Sequence, residues 1–286
     1  MADAIAQGVL LGGFYALLAA GLTLVFGVMK VVNLAHGDLT VLASYVALVL
    51  IGITGLNPLA LMPVVALIMG LIGYALQRGV INFTLGQGLL PPLVVTFGIS
   101  IIIQNGLLEL FTADSQGLDA GPIELASIDI GPVTVGWFPL LTFALAVVVL
   151  AALHLLLRHT GLGRAFRALS DDLPTAQLMG ISTRHLFAMS MGVAMMVMGV
   201  AGVILGIRAQ VVPSIGPSFL IYAFESVIIG GLGSLWGTLA GGVVLGVAQN
   251  VGAFFDPGWS ELAGHLVFLA ILAFRPRGLF GRPEAL

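Results

Sequence analysis

Long apolar stretches recur along the chain, separated by short clusters of polar, Gly and Pro residues. Windows of about 19 residues pick out apolar segments over 5–29, 38–54, 58–77, 90–111, 137–157, 186–207, 219–232, 236–254 and 261–274. Most are long enough as helices to cross a hydrocarbon layer of about 30 Å. The pair flanking Gly233 is the shortest, and broken helices would change the count, so the pattern predicts about eight to ten spans. The expected fold class is an all-α polytopic membrane protein. A single transmembrane domain over 1–286 divides into a first half at 5–157, a polar segment at 158–185 and a second half at 186–275.

Composition sharpens this picture: 59% of the residues are hydrophobic and 8% charged, against roughly 25% charged in a soluble domain. A net charge of −3 offers no basic surface for nucleic acid. Cys is absent, which excludes disulfides, Cys-ligated metals and thiol nucleophiles, and the 39 Gly residues suit helices packed at close range. The first residues hold Asp3 and no Lys or Arg, so no cleaved signal is expected. Basic residues orient the rest: Arg78, the cluster Arg158, Arg164, Arg167 and Arg184, and the group Arg275, Arg277 and Arg282 belong in the cytoplasm, with the C-terminus. Asp114, Asp119, Glu124 and Asp129 lie in a stretch without Lys or Arg and belong outside, with the N-terminus. Arg208 falls at an external helix end, where it can snorkel to headgroups.

The segment GVMKVVNLAHGDL (27–39) is echoed weakly by GIRAQVVPSIGPSF (206–219). The orientation above puts the first at the inner side and the second at the outer side, as an inverted-topology repeat with broken helices requires, and such breaks mark a transport pathway. Similar Gly/Pro loops between unrelated helices are the alternative.

The segment GRAFRALSDDLPTAQLMGIS (163–182) is amphipathic within an otherwise apolar chain. Asp171 or Asp172 can cap a short helix at 173–179, with Pro174 in its first turn and Gly180 ending it. Leu173, Leu178 and Met179 then form either a surface for a soluble partner or an apolar side lying in membrane lipid.

Polar residues at membrane depth are the pathway candidates. Asn33 and His36 would share one helical face near Asp38, and either touch solute or hydrogen-bond the backbone of the break. Gln104 sits toward the outer end of the fourth span. Glu225 is read as the sole acid well inside a span, and it either serves the pathway or pairs with Arg208 or a helix end. Gly230, Gly231 and Gly233, with Gly237, Gly241, Gly242 and Gly246, suit close helix crossings at the bundle centre, and the first three also count as a wall of the pathway. This glycine run lacks the Lys-Ser/Thr of a nucleotide-binding loop. His36, His154, His159, His185 and His265 show no metal spacing, and no catalytic set is present. Neither enzymatic chemistry, cofactor nor metal is therefore expected.

GLTLVFGVMKVVNLAHGDL, TFGISIIIQN, the 163–182 segment, ESVIIGGLGSLWGTLAGGVVLG and FRPRGLFGRPE resemble the shorter permease subunit of bacterial branched-chain amino acid ABC importers, over nearly the whole chain. The resemblance implies a multi-pass protein of the bacterial inner membrane that moves branched-chain or related amino acids by alternating access. It further implies two cytoplasmic ATP-binding subunits, a second homologous permease and a periplasmic substrate-binding protein. Gly163, Arg164, Arg167, Asp171, Asp172, Leu173, Ala176, Leu178, Met179 and Gly180 then fall in the segment that couples to the ATPase, with Ala176 and Gly180 at its matching Ala and Gly. Relatives carrying urea or short amides fit equally, and an ion-coupled secondary transporter or channel using Glu225 is the alternative class.

Overall fold

A computed structural model of the chain describes residues 1–88, 90–131 and 133–280. Arg282 and the rest of the last basic motif beyond residue 280 lie outside the described residues. The order is α1 (Ala2–Met29), α2 (His36–Thr54), α3 (Pro58–Gly79), α4 (Leu90–Phe111), β1 (Ser127–Ile130), β2 (Val133–Gly136), α5 (Trp137–His159), α6 (Gly161–Asp171), α7 (Leu173–Leu178), α8 (Thr183–Arg208), α9 (Gly216–Gly230), α10 (Leu235–Phe255) and α11 (Ser260–Phe274). Among the described residues, eight helices are long and apolar enough to cross a membrane, the last counted from Pro257, and α9 is a shorter apolar helix. Each apolar segment of the sequence is thus a helix. The polar stretches add two elements that the hydropathy pattern does not show, α6 and the β1–β2 hairpin.

The ends of these helices follow local chemistry. Asn57 caps α3 by accepting from the Leu59 N–H, with Pro58 in the first turn. Ser234 caps α10 by accepting from the Gly237 N–H. Gly231 and Gly233 have φ of +101° and +80° and form the turn between α9 and α10, so Gly233 belongs to the turn and not to the glycine stripe of a helix.

The chain divides into two compact units. One contains Met1–Thr23, Ala120–Ala151 and the chain from Ile221 on. Here α1 and α10 cross at backbone contact: a Cβ on Gly242 would lie 2.5 Å from the Gly12 oxygen, and one on Gly246 2.4 Å from the Gly8 oxygen. Such approach replaces the missing hydrophobic driving force in a membrane with dense van der Waals packing. The hairpin pairs Ser127 with Gly136 and Asp129 with Thr134, and is fastened to the start of α1 where the Thr134 N–H donates to Asp3 Oδ1 at 3.2 Å. At the other end of this unit, the Leu279 and Phe280 N–H groups donate to the Ile229 and Gly230 carbonyls at 2.8 and 3.1 Å.

The other unit contains Leu24–Asp119 and Ala152–Leu220. Its centre is α8, buried between α2 and α3 and approached through small residues: Gly199 lies against the Ala66 backbone and Gly202 against Thr40 and Ala43. Ser44 Oγ donates to the Gly202 carbonyl at 2.6 Å, which fixes the register of α2 on α8.

Candidate functional site

The break between α1 and α2 is built by its own side chains. Lys30 ends α1 in the left-handed region at φ +52°, and the chain runs without regular structure to Ala35, where Asn33 Oδ1 accepts the Ala35 N–H at 3.0 Å. Asn33 is therefore outside the helix, and the expected shared face with His36 is not formed; His36 is the first residue of α2. Both are buried.

Asp38, in the first turn of α2, is 1% exposed. Ser100 Oγ donates to its Oδ2 at 2.6 Å and Gln104 Nε2 to its Oδ1 at 3.0 Å, both from α4. A Cβ on Gly37 would lie 1.9 Å from the Gly216 oxygen, and one on Gly216 would lie 2.1 Å from Asp38 Oδ1. No residue with a side chain fits at either position. The two segments that echo each other in sequence thus meet at their matching glycines. Gln104 is accordingly a partner of Asp38 and not an open group at the outer end of α4.

Glu225 lies in α9, 4% exposed. Its hydrogen-bond partner is His265 of α11, with Nδ1 and Oε1 2.6 Å apart, in place of Arg208 or a helix end, which the sequence left open as its partner. It is also not the sole acid inside a span, since Asp38 is equally buried. The Tyr222 ring stacks on His265 at 6.3 Å, and the Tyr222 hydroxyl donates to Glu261 Oε1 at 3.0 Å. The Tyr15 ring lies 5.2 Å from Tyr222 and its hydroxyl donates to Gln249 Oε1. Hydropathy does not join these residues, since they come from four helices, α1 and the consecutive α9, α10 and α11, whose packing it does not encode. Gly230 serves a close crossing, its Cβ position 2.1 Å from the Gly237 oxygen.

The amphipathic segment is two helices. Thr160 caps α6, accepting the Gly163 N–H at 3.1 Å, and Gly163 sits where a Cβ would strike the Leu157 carbonyl at 2.2 Å. Phe166 and Leu169 face inward, while Arg164 and Arg167 are exposed. Asp171 ends α6; Asp172 caps α7, accepting the Thr175 N–H at 3.1 Å and the Thr175 hydroxyl at 2.5 Å. Those two bonds hold the Asp172 carboxyl below its ordinary range. Gly180, at φ +80°, closes α7 with the Ile181 N–H donating to the Ala176 carbonyl. Ala176 is buried within the chain at 4% exposure. The residues that stand out are Leu178 and Met179, 88% and 78% exposed, with Leu173 less so. Among the described residues, no group of three His, Asp or Glu side chains is arranged to hold a metal ion.

The family described as "Branched-chain amino acid transport system / permease component" matches residues 4–274. The high-affinity branched-chain amino acid transport system permease protein BraD of Pseudomonas aeruginosa is 31% identical over 97% of this chain and 95% of its own length. LivH of Escherichia coli, of the same description, is 31% identical over 97% and 94%. The probable branched-chain amino acid transport permease protein LivH of Methanocaldococcus jannaschii is 27% identical over 93% and 88%. No solved structure matches the chain. The chain therefore belongs to the permease-component family of branched-chain amino acid transport systems: it is a multi-pass inner-membrane subunit of an ABC importer and not an enzyme, ATP hydrolysis lying in separate subunits.

Proposed function

We propose that the chain forms part of the translocation pathway of an importer for branched-chain or related amino acids, working by alternating access with two ATP-binding subunits, a second homologous permease and a periplasmic binding protein. In this reading the N-terminus is periplasmic and the C-terminus cytoplasmic, because exposed Arg158, Arg164 and Arg167 lie at the end of α5 and in α6 while Asp114, Asp119, Glu124 and Asp129 lie in the stretch of chain between α4 and α5.

The observation that carries the coupling role is α7. It is a single short helix, capped at both ends, that buries Ala176 in its own chain and leaves Leu178 and Met179 in water. Two bulky apolar side chains on a rigid, capped turn mark a surface that a soluble partner covers. A helix of six residues offers little apolar area for resting in headgroups, which favours the protein partner. Driven by ATP closure, that partner would push α7, and with it α6 and the start of α8.

The test is Leu178→Arg with Met179→Arg in the reconstituted importer. Both positions are exposed, so insertion and folding should be unchanged, while uptake and substrate-stimulated ATPase should fall about tenfold, as for a central interface residue. Unaltered uptake would remove α7 from the coupling surface.

A further inference from the structure

The start of α8 takes any push on α7 directly, since only residues 179–182 separate the two helices. Ser182, at its N-cap, makes no side-chain capping bond, so this end of α8 is held from outside. Asn82, in the loop after α3, supplies a hold: its Nδ2 donates to the Arg184 carbonyl at 3.0 Å. A carbonyl oxygen has two lone pairs, so Arg184 can accept this bond beside a helical one. Gln77, near the end of α3, steadies Asn82 by donating from Nε2 to its Oδ1 at 3.0 Å. The Arg184 carbonyl can only accept, which fixes the orientation of the Asn82 amide, and both side chains are buried. From α3 itself, the Tyr74 hydroxyl lies 3.0 Å from His185 Nδ1 with the two rings edge to face. This clamp is not the most stable choice for the site, since Gln77 Oε1 stays buried without a partner and apolar residues of the same shape would avoid that penalty.

Further along, α3 and α8 meet at backbone range. A Cβ on Gly73 would lie 2.9 Å from the Met191 oxygen, one on Gly192 3.1 Å from the Gly70 oxygen, and one on Gly199 2.8 Å from the Ala66 Cα. Helices packed this closely cannot slide or part without moving backbone, so from Met191 onward α3 follows α8. Residues 183–190 lie between the coupling segment and the first of these contacts. That is the stretch the clamp ties to the end of α3.

We propose that Asn82 is a positioning residue of the transport cycle: it binds the start of α8 to the end of α3, so that a push on α7 moves the two helices as one body. The assignment rests on the reading of α7 as the surface met by the ATP-binding partner. Without the Asn82 bond, residues 183–190 yield on their own, and the stroke is absorbed there before it reaches the tightly packed part of the pair. Asn82 is buried in its own chain and acts through the Arg184 backbone.

In the reconstituted importer, Asn82→Leu keeps the side-chain size and removes both bonds. ATP hydrolysis and assembly with the partners should continue, while uptake per ATP hydrolysed falls several-fold. A purely structural role would lower uptake and hydrolysis together, and an unchanged ratio overturns the proposal. The chain contains no Cys, so the clamp can be rebuilt within one protein. Asn82→Cys with Arg184→Cys should be as poorly coupled as Asn82→Leu when reduced, and should regain the parent ratio once a short bifunctional thiol reagent joins the two. A joined pair that blocks uptake shows that the start of α8 must part from α3, and one that leaves the ratio low shows that their connection does not carry the stroke; either overturns the proposal. The α7 reading fails separately, through unaltered uptake with Leu178→Arg and Met179→Arg.

Discussion

Two carboxylates sit inside the helical bundle, Asp38 at the start of α2 and Glu225 in α9, and their surroundings differ in kind. Asp38 has both oxygens occupied, by Ser100 and Gln104, and stands where two helix starts touch with only backbone between them. Glu225 has one oxygen on a half-exposed His265 and the other without a partner. A fully satisfied buried acid is an architectural joint; a half-satisfied one keeps capacity for another group. In apolar surroundings that difference decides which acid tolerates change, because breaking a complete network strands every former partner.

The sharpest way to break the comparison is to fill the joint. Gly37→Leu would place side-chain atoms where even a Cβ meets the Gly216 oxygen at 1.9 Å. Backbone cannot retreat as a flexible side chain does, so the cost should exceed about 3 kcal/mol, and the expected outcome is no monodisperse protein after detergent extraction. Well-folded Gly37→Leu protein would show that the two helix starts are not locked together. Next in size is Asp38→Leu, which leaves the Ser100 hydroxyl and Gln104 amide without their acceptor. It should destabilise by about 2–4 kcal/mol, read as a lowered melting temperature of the detergent-solubilised chain, with Asp38→Asn recovering part of the loss. The smallest effect is expected at Glu225→Gln, which keeps an acceptor for His265 and removes only charge. Stability should change by less than about 1 kcal/mol. If Glu225→Gln melts as low as Asp38→Leu, the two acids are equivalent and the distinction fails.

What sequence could tell about these regions follows from the range of the forces involved. Span positions rest on local hydropathy, and α4 coincides with its predicted bounds of 90–111 while the other spans shift by only a few residues. Asp172, Pro174 and Gly180 act within one or two turns of each other, so the capped α7 was readable too. α6 leaves a weaker trace: Thr160, Phe166 and Leu169 carry a cap and an apolar face at helical spacing, but the exposed Arg164 and Arg167 between them break any apolar run. The pairing of Glu225 with His265 and of Asp38 with Ser100 and Gln104 depends on which helices become neighbours. No local pattern encodes that, and nothing in the stretch around Glu225 separates His265 from Arg208 as its partner.

The two N–H groups of Leu279 and Phe280 that close the end of α9 also bear on how the protein is made. The last carbonyls of a helix have no partners of their own, and in a bilayer such groups are expensive to leave bare. Residues synthesised after α10 and α11 supply them here. While the ribosome is still producing α11, α9 has its final turn open, and the helix that carries Glu225 acquires its finished end only after the chain has emerged past Phe280. A nascent chain stalled before Leu279 would therefore carry α9 to α11 without this seal.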